Sequence, residues 1–202
     1  MKKLILILCL FVPVLVFGQW TSRIVKPHGE QGKVFAQDAS TEATTQISYE
    51  HHEIHSGSHY FIRGYQMLGS GDTLTFALKT PNTTKWTHLL FQITGSLITE
   101  VKMFEGATVT GGSLLTPFNS NRNSDNVSVD SVWSLPTVPV YGTCIDSSKV
   151  GASGGSKFGG SITRDSEIIL KQNTTYVWRI ESGSASNYVM WDAEWYEHTD
   201  RN

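Results

Sequence analysis

From Ile47 onward the chain alternates apolar and polar positions with a period of two, in short runs separated by turn residues. Leu74, Phe76 and Leu78 fall on one parity, as do Leu89, Phe91 and Ile93. The clearest runs lie at residues 166–181 and 187–198. In the first, Ile168 and Leu170 alternate with Ile169 and Lys171, Gln172-Asn173 turns, and Tyr176-Val177-Trp178 resumes. In the second, Val189, Trp191, Ala193 and Trp195 take one side and Asp192, Glu194 and Tyr196 the other. A two-residue period rich in aromatic and β-branched side chains predicts strands packed on one face. Strands are expected near 47–55, 59–68, 72–80, 87–96, 98–105, 128–133, 138–144, 167–171, 174–181 and 187–197. The breaks carry turn chemistry at Gly69–Asp72, Pro81-Asn82, Gly111-Gly112, Asn119–Asn126 and Ser182–Ser186. No longer window carries a helical stripe. The pattern predicts an all-β chain, an antiparallel β-sandwich of jelly-roll type over residues 47–198.

The ends change this picture. Residues 1–18 have the build of a secretory leader: Met1-Lys2-Lys3, an apolar run from Leu4 to Val16, and small residues before Gln19. The run is short for a membrane span and contains Pro13. The expectation is therefore an exported protein (periplasm, cell surface or medium) with no membrane span once the leader is removed. Residues 19–46, rich in Thr, Ser, Gln and Gly, have no sustained period and read as an irregular arm. Without Lys2 and Lys3, 14 basic residues face 18 acidic ones, a formal charge of −4. Nucleic acid is not an expected partner, because phosphate neutralisation needs a basic surface. Cys144 remains the sole cysteine, which excludes an intrachain disulfide and is expected to be buried.

Four of the seven histidines fall between His51 and His59. On a strand, His51, Glu53 and His55 would share a face and offer two imidazoles and a carboxylate to a metal. No HExxH spacing is present, however, and the leading expectation is a polar strand face or subunit contact. Lys157, in the glycine-rich loop Gly151–Ser161, lacks the phosphate-loop pattern. No strand-to-helix nucleophile elbow is predicted either. No catalytic residue and no cofactor is predicted. Among the six tryptophans, Trp178 and Trp191 read as core. Trp86 and Trp133 flank turns and are candidates for a surface contact with a partner or a sugar ring. Asn82, Asn126 and Asn173 match the glycosylation pattern but read as turns. In the Asn119–Asn126 loop, the side-chain amides and Arg122 suit either polar recognition or turn caps.

Several blocks, in order, carry a family resemblance: EHHEIHSGSHYF (Glu50–Phe61), TPNTTKWTHLLFQI (Thr80–Ile93), FNSNRNSDN (Phe118–Asn126), SITRDSEIILKQNTTYVWRI (Ser161–Ile180) and WDAEWYEH (Trp191–His198). Together they resemble tailed-bacteriophage virion proteins of the head-decoration or auxiliary capsid type. The resemblance implies a β-sandwich, no reaction, and docking on a protein lattice such as a phage capsid. It also implies a virion location, and a homo-oligomer would suit a lattice with local symmetry. His51, His52, His55, Asn121, Arg122 and Asn123 fall in the matching motifs and are the expected assembly contacts. The alternative is a secreted β-sandwich that binds a carbohydrate or cell-surface glycan, with Trp86 or Trp133 as the stacking surface.

Overall fold

Alternation becomes burial along most of the chain. In the computed structural model, residues 48–151 and 166–199 are described, all within the unit Ser48–Asn202. The expected leader and arm, and most of the glycine-rich segment including Lys157, lie outside these residues. Strand β1 (His59–Leu68) joins β2 (Thr73–Lys79) through the predicted Gly69–Asp72 turn, where Asp72 Oδ2 accepts from the Gly69 amide at 2.7 Å. Strands β3 (Lys85–Gly95) and β4 (Thr99–Glu105) follow. Short pieces come next: β5 (Thr108–Thr110), β6 (Ser113–Leu115), β7 (Phe118–Asn119), β8 (Ser131–Ser134) and β9 (Thr137–Val140). The chain closes with β10 (Thr143–Val150), β11 (Ile168–Leu170), β12 (Thr175–Ser182) and β13 (Asn187–Thr199).

All strand pairs are antiparallel. Sheet 1 has the order β11-β3-β13-β1-β7 and sheet 2 the order β10-β4-β12-β2-β8-β6. The main core forms between them. Tyr60, Ile62, Leu89, Val189, Ala193 and Trp195 contribute from sheet 1, and Leu74, Phe76, Leu78, Met103, Tyr176, Trp178 and Ile180 from sheet 2. Two aromatic pairs bridge the sheets: Phe76 with Trp191 at 4.7 Å and Phe91 with Trp178 at 4.6 Å between ring centroids. Aromatic contacts of this kind add to the area each ring removes from water. The protein is thus an all-β, sandwich-like fold.

The two outer faces are treated differently. On sheet 2, Ala77 and Val177 point outward and are buried again, together with Ala107 and beside Phe104, Val109, Trp133, Val138 and Tyr141. The β5–β9 ribbon supplies Val109 and Val138 to this second cluster. On sheet 1, by contrast, the outward Tyr65, Met67, Tyr188 and Met190 stay exposed, while on the inner face Gly64 sits so close to Trp191 that an added Cβ would meet the indole at 2.2 Å. The glycine leaves the room that the ring occupies.

Several expectations are corrected here. The predicted strand over 47–55 is a helix, α1 (Tyr49–Ser56). The predicted strand over 138–144 is broken near Tyr141-Gly142 into β9 and β10, with Gly142 at φ 75°. Strands β5, β6 and β7 were not expected, being two or three residues long and too short to show a period. Cys144 is exposed, not buried, because β10 is an edge strand and almost all its side chains face solvent.

Candidate functional site

The histidine-rich segment folds as a helix because it is capped at both ends. The Ser48 hydroxyl accepts from the His51 amide at 3.3 Å at the start. At the other end Gly57 takes φ 73° and its amide, with that of Ser58, closes onto Ile54 and Glu53 carbonyls at 3.1 and 3.0 Å. An added Cβ on Gly57 would meet Ser124 Oγ at 2.3 Å, so glycine is required twice over. The helical rotation separates the predicted metal trio. His51 and His55, four residues apart, meet with Nε2 atoms 2.9 Å apart on the exposed side. Glu53 is buried on the other side against Ser56 and Ser58, and also contacts His52 Nδ1 at 3.3 Å. His51, Glu53 and His55 therefore do not converge, and the strand-face geometry expected of them is replaced by that of the helix.

The Asn-rich loop is brought against this helix, so the structure does unite the two predicted motifs. Its amides, however, are spent internally. The Gly57 carbonyl accepts from Asn119 Nδ2 at 2.8 Å, Asn126 Nδ2 at 3.2 Å and the Tyr60 hydroxyl at 3.4 Å. Burial pushes the Tyr60 hydroxyl up to about 12, helped by Glu197 and Asp130, so it stays a donor. Asn119 Oδ1 and Asn121 Oδ1 accept the amides of Asn121 and Asn123, and Asn121 Nδ2 donates to the His55 carbonyl at 3.1 Å. Arg122 donates to the Asn119 carbonyl at 3.4 Å and lies over the Phe118 ring, 5.4 Å from its centroid. These contacts match the turn-cap reading of the loop.

At the far end of sheet 1, on its outer face, the chemistry reverses. Tyr65 pairs across the strands with Met190, and Met67 with Tyr188. All four are between 55 and 76 % exposed. Arg63 flanks them, donating from Nε to Asp192 at 2.8 Å and from Nη2 to Glu194 at 3.4 Å. Aromatic, methionine and arginine side chains inside a charged rim are the composition that marks interface cores. Beside this face a cleft of about 400 Å³ opens between the sheets. It is floored by Phe76 and Trp191 and lipped by Phe118 and Leu135. Leu135 is held at φ 52°, a left-handed conformation that is costly for a bulky side chain, and is 56 % exposed. Tyr65, Met67, Tyr188, Met190 and Leu135 were not singled out from sequence. A signal existed: Asp192 and Glu194 mark the outward parity of β13, so Tyr188 and Met190 must also face out.

The two tryptophan candidates separate. Trp86, on β3, is exposed. Trp133 is half-buried in the second apolar cluster, so the sequence reading of it as a free surface residue is replaced by a packing role.

Two titratable clusters sit where β3 and β13 run toward α1. Glu197 is buried and accepts from Ser128 Oγ at 2.5 Å, the Val129 amide at 3.1 Å and Trp195 Nε1 at 3.2 Å. Next to it, burial and then the Glu197 charge push the Asp130 carboxyl up to about 7, opposed by the hydrogen bond from Thr87 at 2.8 Å. The second cluster joins His88, Glu167, Tyr196 and His198 on the outer face. A third grouping, Glu50, His59 and Glu194, places one ligand atom from each residue within 4.8 Å of the others.

No known protein family, no curated protein and no solved structure matches this chain at significance.

Proposed function

We propose that this protein is a non-enzymatic jelly-roll module that docks on a repeated protein surface, as phage capsid decoration proteins do. The observation that carries the reading is the Tyr65, Met67, Tyr188 and Met190 patch, which leaves two cross-strand apolar pairs in solvent. Exposing them costs solubility unless a partner covers them. Strand order supports the jelly-roll part. Leaving out the short insertions β5–β9, the first remaining strand pairs with the last (β1 with β13), the second with the seventh (β2 with β12), the third with the sixth (β3 with β11) and the fourth with the fifth (β4 with β10). This is one long hairpin rolled into two sheets, an architecture shared by viral capsid and lectin domains. The sequence blocks quoted above point the same way. Fold alone does not assign a function, so the partner is argued from the face.

Docking would bury this patch at the centre of the contact, with Arg63, Asp192 and Glu194 as its rim. A homo-oligomer would arise if local lattice symmetry brought copies together. The decisive experiment is quantitative mass spectrometry of purified virus particles, cell envelope and medium from the source culture. Near-stoichiometric peptides in particles, with occupancy lost in a Tyr65→Glu/Met190→Glu variant that still folds, are expected. Peptides confined to envelope or medium, with binding on a glycan array lost in Trp86→Ala, would replace this reading with the exported glycan-binding one.

A further inference from the structure

We propose that His88 and His198 form a binding site for one divalent transition-metal ion of the Zn²⁺ class, on the outer face of sheet 1. The two side chains project from adjacent strands two positions apart in register, since Tyr196 pairs with His88 and His198 with Trp86. Their Nε2 atoms are 2.6 Å apart and their ring centroids 4.5 Å apart. The proton on each ring is assigned by its neighbours. His88 Nδ1 lies 2.5 Å from a Glu167 carboxylate oxygen, and His198 Nδ1 lies 3.2 Å from the Thr199 carbonyl oxygen. Both partners accept, so each Nδ1 is placed to donate and the two Nε2 atoms face each other. Two lone pairs facing at that separation repel unless a positive centre lies between them.

Either a shared proton or a metal ion supplies that centre, and the surroundings favour the metal. A carboxylate on the far nitrogen of a histidine is the arrangement that orients a metal ligand and raises its basicity. Here Glu167 is itself locked, because the Tyr196 hydroxyl donates to the same oxygen at 2.9 Å. The Tyr196 ring stacks on His88 at 4.5 Å with 16° between planes, which fixes the imidazole orientation. Two bonds of 2.0–2.1 Å at a tetrahedral angle need the nitrogens roughly 3.3 Å apart, so the rings must open by several tenths of an ångström. Water would complete the coordination. An imidazole pair selects Zn²⁺, Cu²⁺ or Ni²⁺ over Ca²⁺ and Mg²⁺.

The other histidine groupings lack these features. The His51–His55 pair stands exposed on α1. In the Glu50–His59–Glu194 group, the Arg63 guanidinium already lies against Glu194, and the Ser120 hydroxyl at His59 Nδ1 can donate or accept and so sets no tautomer.

The test uses the full chain, freed of metal with a chelator and titrated with Zn²⁺ by calorimetry and with Cu²⁺ by electron paramagnetic resonance. One ion per chain is expected, with hyperfine splitting from two imidazole nitrogens. His88→Gln and His198→Gln should each weaken binding at least about tenfold, and Glu167→Gln about tenfold, with the metal-free fold checked by circular dichroism. A His51→Gln/His55→Gln variant should bind like the unaltered chain. Absence of binding at millimolar Zn²⁺, or binding that survives His88→Gln and His198→Gln, overturns the proposal. So does binding that disappears with His51→Gln/His55→Gln. Glu167→Gln tests the same site without removing either ligand, so a folding failure of a histidine variant leaves a decisive measurement in hand.

Discussion

The two ends of sheet 1 are built from opposite materials and put to opposite uses. At the α1 end the residues are polar, and most of their hydrogen-bonding capacity is consumed inside the protein. One backbone carbonyl, that of Gly57, collects three side-chain donors. At the other end the residues are aromatic or sulfur-containing, and Tyr65, Met67, Tyr188 and Met190 stand in solvent. Side-chain type alone would assign these roles the other way round, with polar residues at the contact and apolar ones in the core. What decides is whether neighbouring chain covers the face. The helix and the Asn119–Asn126 loop cover one end, and among the described residues nothing comparable covers the other.

The comparison can be broken first at its polar end. Asn119→Ala removes two donated bonds, to the Gly57 and Asn126 carbonyls, and the bond accepted from the Asn121 amide, all at a buried position. We expect a loss of about 3 kcal/mol in urea unfolding. A change below about 1 kcal/mol would mean the hub is not structural.

A second effect concerns the buried carboxyl beside that hub. Asp130 has a folded pKa near 7 against an ordinary 3.8. Its folded pKa is raised, so the native state holds the proton longer. Its contribution is fully present below about pH 4 and is lost as pH rises through 7. The shift corresponds to at most about 4 kcal/mol. Asp130→Asn should therefore stabilise the protein by about 2 kcal/mol at pH 8 and have little effect at pH 4. Equal effects at both values in thermal melts would show that burial does not hold the proton there.

At the apolar end the expected stability effect is small and the binding effect large. Tyr65→Ser and Met190→Ser should each change stability by no more than about 0.5 kcal/mol, as exposed positions do. Each should weaken particle binding about tenfold or more if these residues lie at the centre of the contact. A substantial loss of stability would reveal that the patch is packed after all. The smallest effect is expected at His51→Ala, about 0.3 kcal/mol or less, because the His51–His55 contact is an exposed pair on one helix face.

Much of the fold was legible. The strand β1 matches its predicted span of 59–68, and β2, β3, β4, β11, β12 and β13 lie within a few residues of theirs. The turns carried glycine, proline and asparagine at the breaks. The site was less legible. The helix at 49–56 was hidden because its stability comes from Ser48 and Gly57 at its two ends, and the run between them lacks an apolar stripe. A cap search over Ser48 and Gly57 would have found it. The metal trio failed for the same reason, since a strand places residues two apart on one face and a helix sets them on opposite sides.

Sequence by itself determined the class of structure and the parity of each long strand. Those follow from a local rule, that side chains alternate across a strand. It could not determine which of the two parities would be covered. On β12, Val177 faces away from the main core and is buried by the second cluster. On β13, Met190 faces away and is bare. That difference is set by where the β5–β9 ribbon and the α1 end come to lie, contacts between residues far apart in the chain. The same long-range placement sets His88 against His198 and Glu167, three residues that share no motif and meet because β3, β11 and β13 pair side by side.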